Sequence, residues 1–380
     1  MELDNLIYRS KESPEFFLRY AGEQDDAQLI ELISESMPSN GMTISFERKP
    51  SYFTATKAQY NKPEIMVVVH QDHPEKIIAM INIGWKNYWI NGEKKEIRYV
   101  SDLRVKMTSR GKKAFSVFSA YVLETFPSEI IFQSIILEDN HLARNMMHSK
   151  RAGNAVPYIF DNITTYTISK TPNFRNLERY SLIQLKSEYY EKANQFIAEM
   201  SQHYNFLPDY DFKLLESGSH PFWCGLKNED FYLVLDQQEK VVGLFGLWNQ
   251  TGFRQTKVKQ YSKLLKVLKP FYNLYAKVSG QLSLPAEGCS FEYLMTHSFL
   301  SNPNDLDVLR FMLTQANTLV KSRDKTSFCI TVADNDPRKQ ILEQCTSHKM
   351  KAIHSLHSFG AQPFEEIGRG KLSYFDVSRI

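Results

Sequence analysis

Residues 97–118 read IRYVSDLRVKMTSRGKKAFSVF. Ile97–Val105 is apolar and β-branched in alternation, which predicts a strand. A short polar turn follows, carrying Arg110, Gly111, Lys112 and Lys113. An apolar helix is expected from about Ala114 to about Phe126. The first amides of a helix lack partners within it and carry partial positive charge. A strand feeding a basic, Gly-bearing turn and then a helix is therefore a way to build a phosphate or diphosphate site. Gly111 lets the backbone come close, and the three cations add full charges.

Outward from this stretch, the first half predicts a strand at Phe16–Tyr20 and a helix at Asp25–Ser36. A hairpin is expected from Ile65–His70 and Lys76–Gly84, extended through Trp85–Ile90 to a turn at Asn91-Gly92. Ile130–Leu137 reads as a buried strand, Asn140–Arg151 as a helix and Tyr158–Ile168 as strands. The second half repeats the order after a polar connector at Lys170–Arg175. It gives a helix at Glu188–His203, a hairpin from Phe231–Asp236 and Lys240–Trp248, and a long helical insertion at Lys257–Val278. A strand at Cys289–His297, a helix at Leu306–Ser322, a strand at Ser327–Val332, a helix at Asp336–Cys345 and a last strand at Leu372–Val377 complete it. The same succession twice implies duplication. At 380 residues the chain also exceeds the length at which one core stops growing. Two α/β (α+β) domains are expected, at 1–170 and 171–380.

These residues resemble the GNAT superfamily of acyl-CoA N-acyltransferases, in tandem. The resemblance implies two domains, each a mixed, splayed, mostly antiparallel sheet flanked by helices. The family's pyrophosphate loop usually reads Gln/Arg-x-x-Gly-x-Gly/Ala, often with Gly directly after its first residue. Here the run is Arg110-Gly111-Lys112-Lys113-Ala114-Phe115, with Lys113 where Gly is usual. The family also favours an Asn after its fifth strand, Ala three residues on and Tyr seven residues on. Asn140 and Ala143 match; Met147 stands at the Tyr position, so the usual general acid is absent from its usual place. In the second half, Ser298-Phe299-Leu300-Ser301-Asn302-Pro303-Asn304-Asp305 has no Gly and no cation where the loop would be. That half is expected to keep the fold without the cofactor and to form one wall of the acceptor groove.

The resemblance implies acetyl-CoA or another acyl-CoA as co-substrate. It is expected on Leu103, Arg104, Val105, Arg110, Gly111, Lys112, Lys113, Ala114, Asn140 and Ala143. The backbone around Leu103–Val105 would pair with the pantetheine arm and offer an N–H to the thioester carbonyl. Acyl transfer needs a neutral amine, whose ordinary pKa is about 10.4, so a base is required. Asp102 is the candidate base, with Glu138 and Asp139 as alternatives, and His148 or His141 as a substitute acid. Competing readings are a local ion pair for Asp102 with Arg104 or Lys106, a surface role for His148, and a helix cap for Asn140.

Composition narrows the rest. A net charge of +3 argues against wholesale nucleic-acid binding. Cys224, Cys289, Cys329 and Cys345 are scattered, and His354 and His357 have no third ligand spaced to join them. Reduced cytoplasmic thiols and no metal are expected. No apolar leader and no membrane-length apolar run are read. Two basic stretches stand out. Lys94–Lys113 balances to +6, and Gln250–Lys277 to +7 with no acid, interleaved with Tyr261, Phe271, Tyr272 and Tyr275. RNA or an anionic membrane surface fits such stretches. The favoured reading packs Leu264, Leu265 and Leu268 inward and leaves the lysines solvated. The expected activity is acyl-CoA-dependent transfer, by acetyl transfer for preference, to an unidentified small-molecule or peptide amine, by a monomer. The alternatives are a catalytically silent GNAT fold that binds CoA or a partner, a basic-surface RNA-binding protein, and a tandem aminoacyl transferase, which would not need the loop at Arg110.

Overall fold

The computed structural model describes residues 6–35, 37–39, 41–109, 114–148, 156–218, 220–358, 367–368 and 370–380. The first half contributes β1 (Leu6–Arg9), β2 (Phe16–Tyr20), α1 (Asp26–Ile33), β3 (Met37–Ser39), β4 (Met42–Glu47) and α2 (Tyr52–Gln59). It continues with β5 (Ile65–His70), β6 (His73–Ile90), β7 (Glu93–Val105), α3 (Ala114–Thr125), β8 (Phe132–Leu137), α4 (His141–His148) and β9 (Val156–Lys170). The second half contributes β10 (Ser181–Gln184), α5 (Tyr190–Met200), β11 (Tyr204–Asn205), β12 (Leu207–Pro208), β13 (Phe231–Leu235) and β14 (Val241–Trp248). Then come β15 (Gln255–Tyr261), α6 (Lys263–Ser279), β16 (Leu294–Ser301), α7 (Leu306–Ser322), β17 (Phe328–Ala333), α8 (Lys339–Leu342), β18 (Thr346–Ser358) and β19 (Leu372–Phe375).

The main sheet runs β1-β2-β5-β6-β7-β8-β18-β9-β17-β16-β14-β13-β10. Its middle is an exchange. β18, late in the chain, pairs with β8 of the first half, while β9 pairs with β17 of the second. β9 and β18 then pair antiparallel along their full lengths, from Thr346 opposite Lys170 to Ser358 opposite Val156. The two halves thus share one sheet, and each lends the other a strand. Along this strand order, β7 pairs parallel with β8 in the first half and β16 with β17 in the second; off it, β11 pairs parallel with β19. Separate apolar cores cover the two halves: α3 packs Val117, Phe118 and Tyr121 on the first sheet, and α7 packs Val308, Met312 and Ala316 on the second.

The hairpin β5–β6, the Asn91-Gly92 turn and α7 lie as the sequence predicts. At that turn Asn91 and Gly92 both take positive φ, which suits a two-residue hairpin. Three expectations are corrected. Residues 257–278 are not one helix, because the alternating run Gln255–Tyr261 pairs as β15 with β4 in a separate small sheet. The strand expected at Cys289–His297 is β16, which continues through Ser301, since Leu300 and Ser301 pair with Leu244 and Gly243. The helix expected at Asp336–Cys345 shortens to α8, and β18 begins directly after it.

Gly84 lets α2 close on β6. An added Cβ there would lie 2.5 Å from a Tyr60 ring carbon and 2.7 Å from the Lys62 carbonyl oxygen. Gly84→Ala is expected to cost about 1–3 kcal/mol by overpacking. Urea unfolding of the variant checks this, and an unchanged midpoint overturns it.

Candidate active site

β7 and β8 pair only at Arg98 opposite Phe132 and Tyr99 opposite Gln133, and then diverge. The divergence begins where β7 is bulged. Ser101 faces Asn82 and Arg104 faces Met80, so Asp102 and Leu103 oppose Ile81 alone. Asp102 sits at φ 54, a region that non-glycine residues seldom enter. A bulge sharpens twist and frees a ladder position, which drives the two strands apart. β16 repeats the device. Its pairing with β17 stops at Met295 opposite Cys329, and the residues between His297 and Leu300 form a bulge against β14. Ser298, the counterpart of Asp102, has φ 50.

The two notches differ in what fills them. In the second half the Ser298 N–H donates to Asp376 Oδ2 at 2.8 Å. The Tyr210 hydroxyl donates to the same oxygen at 2.7 Å. Arg379 continues the plug: it donates to the carbonyl oxygens of Ala58 and Phe222 and to His297 Nε2 at 2.9 Å. Its guanidinium lies 3.7 Å from the Phe222 ring centroid. Burial pushes His297 down to about 3, so it stays neutral and its Nε2 can accept. The segment 376–380 therefore occupies the second notch.

At the apex of the first notch a small, partly open pocket lies between the halves. Gln59, Lys86, Asn87 and Gln133 are among its polar groups, Asp376 and Arg379 of the second-notch plug also line it, and Tyr210 and Phe222 lie on its aromatic wall. Gln59 Oε1, Asn87 Oδ1 and Gln133 Oε1 are all buried without a hydrogen-bond partner within the protein. Gln133 is held from behind. Asp161 can only accept, so His354 Nδ1 donates to it at 3.0 Å; His354 Nε2 then accepts from Gln133 Nε2 at 3.0 Å. Burial keeps His354 below its ordinary pKa and hence neutral. This chain turns Gln133 Oε1 away from His354.

Lys86 stands beside these oxygens. It is 4% exposed, donates to the Arg379 carbonyl at 2.5 Å and lies 3.7 Å from the Tyr99 ring centroid. Burial, with Arg254 and Arg379 nearby, holds its ammonium well below the usual lysine range. The arrangement offers a buried amine, unpaired acceptors and an aromatic wall at the point where two strands part.

No protein-family model matches the chain, and no curated protein matches it. Solved structures do. N-myristoyltransferase of Saccharomyces cerevisiae with bound myristoyl-CoA is 12% identical, over 95% of this chain and 83% of that one, with a TM-score of 0.56. A GCN5-related N-acetyltransferase from Sphaerobacter thermophilus is 9% identical, over 98% and 100%, with a TM-score of 0.51. One from Anabaena variabilis is 10% identical, over 93% and 75%, with a TM-score of 0.51. This chain has the tandem GNAT fold.

Within the GNAT frame, the residues singled out from sequence fall as follows. The Asp102 carboxylate accepts from the Tyr52 hydroxyl at 2.9 Å and lies 3.8 Å from the Arg48 guanidinium. These two partners are on α2 and the segment before it. Leu103 and Val105 pack on the first-half core, and Ala114 is fully buried at the start of α3. Arg104 donates to the Leu103 carbonyl at 2.9 Å. Asn140 Oδ1 accepts from the Ala143 N–H at 3.2 Å, which makes it the cap of α4. Glu138, Asp139 and His141 are exposed. His148 ends α4, and its side chain lies outside the described residues, as do Arg110, Gly111, Lys112 and Lys113. His354 and His357 lie on strand β18, not on a helix, and bond to the adjacent Gln133 and Ser134. No group of metal ligands forms among the described residues. No helix among them is long and apolar enough to cross a membrane.

Sequence reading missed Lys86, Gln59, Asn87 and Gln133. One signal was present. Lys86 falls in phase with Gly84, Tyr88 and Ile90, the buried positions of β6, and a lysine on an inward face is rarely without purpose.

Proposed function

We propose that this protein transfers an acyl group from acyl-CoA to a primary amine. The acyl-CoA is held by residues 1–170, and the amine enters the central pocket that residues 171–380 complete. The observation that carries this reading is the meeting of the β7–β8 splay, at Tyr99 and Gln133, with a pocket of unpartnered acceptors beside Lys86. A protonated primary amine has three donors and no acceptor. Gln59, Asn87 and Gln133 supply matching oxygens.

Lys86, whose charged form burial disfavours, takes in its free-amine form the proton that the substrate amine must lose before attack. The free amine nitrogen bonds to the thioester carbon, and the bulge backbone at Leu103 donates to the carbonyl oxygen as it gains charge. The carbon–sulfur bond then breaks, and the proton held by Lys86 passes to the thiolate; the second proton, which the nitrogen sheds on becoming an amide, goes to the Lys86 amine so freed and from there to solvent. The CoA phosphates are assigned to residues Arg110–Lys113 and the start of α3. The occupied second notch favours one acyl-CoA per chain.

Calorimetric titration with acetyl-CoA and longer acyl-CoAs tests the cofactor half. One site per chain is expected. A triple substitution of Arg110, Lys112 and Lys113 to Ala is expected to weaken it at least about tenfold, since each lost phosphate contact removes charge-assisted hydrogen bonds. Binding indifferent to these changes overturns the assignment. Thiol release above background with a panel of primary amines is the expected turnover. Acyl-CoA binding without any turnover favours a silent fold.

A further inference from the structure

α6 is an insertion between β15 and β16, and its two faces have opposite fates. The inner face is fastened. Leu265 and Tyr272 pack with Val258, Tyr261 and Leu284, and Ala276 is fully buried. The Tyr272 hydroxyl contacts His348 Nε2 at 2.8 Å. Asn273 exchanges hydrogen bonds of 2.9 Å with the Leu284 backbone, and Lys269 donates to the Pro285 carbonyl at 2.6 Å. The helix therefore cannot roll its other face inward.

That other face is apolar. Leu264, Val267, Leu268, Phe271, Leu274, Tyr275 and Val278 recur at three- and four-residue spacing, which places them in one stripe. They are between 47% and 84% exposed. The inward packing expected from sequence for Leu264 and Leu268 is thereby corrected; among the three leucines only Leu265 turns in. An unbroken stripe of this size on a lone helix implies a partner.

The charges beside the stripe choose the partner. On a helical wheel Lys263, Lys266 and Lys277 lie along one edge of it, and α6 has no acidic residue. Glu287 neutralises Lys266 at 3.2 Å, which leaves Lys263 and Lys277 facing solvent at the two ends. A second copy docked antiparallel on this face would bring two lysine rows to the same side, where they repel. An anionic surface is complementary to them. A single helix with aromatic and aliphatic residues on one side and lysines beside them fits the plane of a lipid headgroup layer, with lysine stems along the apolar boundary.

We infer that α6 seats this protein on an anionic lipid surface, lying flat with the Leu264–Val278 stripe among the acyl chains. This inference stands apart from the acyl-transfer reading, since it uses no residue of the central pocket.

The test is flotation of the full chain with phosphatidylcholine vesicles and with vesicles of phosphatidylcholine and phosphatidylglycerol in equal parts. The protein is expected to float with the anionic vesicles and stay down with the neutral ones. Val267→Gln/Phe271→Gln/Leu274→Gln is expected to reduce the floating fraction at least about tenfold, because three large side chains no longer enter the lipid. Lys263→Glu/Lys277→Glu is expected to reduce it at low salt. These positions are exposed, so thermal melts are expected to match the parent and separate lost binding from lost folding. A parent protein that floats with neither vesicle, or a triple variant that floats as well as the parent, overturns the inference. A parent dimer that the triple variant converts to monomer, with no flotation, assigns the stripe to a second copy and overturns it as well.

Discussion

Lys86→Met is expected to lower kcat by about 10²–10⁴-fold, the usual contribution of a positioned base. Acyl-CoA binding should stay within a few-fold, because Lys86 lies on the pocket side of the Tyr99–Gln133 apex. Met keeps an apolar stem nearly as long as that of Lys, replaces one methylene by sulfur and removes the nitrogen, and with it the donor to the Arg379 carbonyl. The stability effect has the opposite sign to the activity effect. The Lys86 pKa is pushed down on folding, chiefly by burial and then by Arg254 and Arg379. The unfolded chain therefore binds a proton that the folded chain resists, from the ordinary lysine range down to the folded value. Over that window lysine costs stability, so at neutral pH the Met variant should melt at the same temperature or higher. Loss of turnover in a protein that melts no earlier cannot be a folding defect. The parent's kcat/KM should rise with pH as Lys86 loses its proton, and the variant should lack that limb. A variant with near-parent turnover and an unchanged pH profile removes Lys86 from the chemistry.

What the sequence makes legible, and what it hides, follows from where the information lies. The hairpin β5–β6 shows itself through β-branched runs and the Asn91-Gly92 turn. α7 shows itself through an apolar stripe with Asp305 capping it; the carboxylate accepts from the Val308 N–H at 3.2 Å. Asn140 is readable as a cap because its bond to Ala143 is local. Each of these is set within a few residues.

β18 is different. Its sequence, TSHKMKAIHSLHS, is dense in Lys, His and Ser and reads ambiguously because both neighbours, β8 and β9, belong to the other half of the chain. The bulges at Asp102 and Ser298 are invisible for a related reason. Nothing in SDLR or HSFL marks an extra residue until the partner strand is known. α6 misleads in its own way. Periodicity locates an apolar face correctly but does not say whether anything covers it. Lys86 is hidden by the same limit, since its burial depends on Tyr99 opposite and on segment 376–380 far along the chain.

Acid should begin to destabilise this protein above the ordinary carboxylate range, and buried histidines are the reason. Burial pushes His297 down to about 3 and His357 down to about 4; His354 and His348 are also lowered, by burial first. In the unfolded chain each binds a proton near pH 6.5, whereas in the folded chain each resists it. Unfolded molecules then carry more protons, so stability falls as pH falls. Each pH unit in which only the unfolded chain is protonated removes about 1.4 kcal/mol per histidine. The loss starts below 6.5 and continues to about 4 for His357 and about 3 for His297. Asp376 acts later. Burial alone would raise it, but His297, the Ser298 N–H, the Ser378 hydroxyl and Arg379 hold it below the usual aspartate value. With His297 neutral, the Ser298, Ser378 and Arg379 contacts do this above pH 3. Its contribution is present above the ordinary aspartate pKa and is lost only as pH falls through the lowered one. The expected result is a melting temperature that already drops between pH 6.5 and 5, before the ordinary carboxylate range is reached. His357→Gln, which keeps a donor for Ser134 and cannot charge, should flatten that slope by about one proton's worth. A melting temperature constant from pH 6.5 to 4.5 contradicts the burial assigned to these rings.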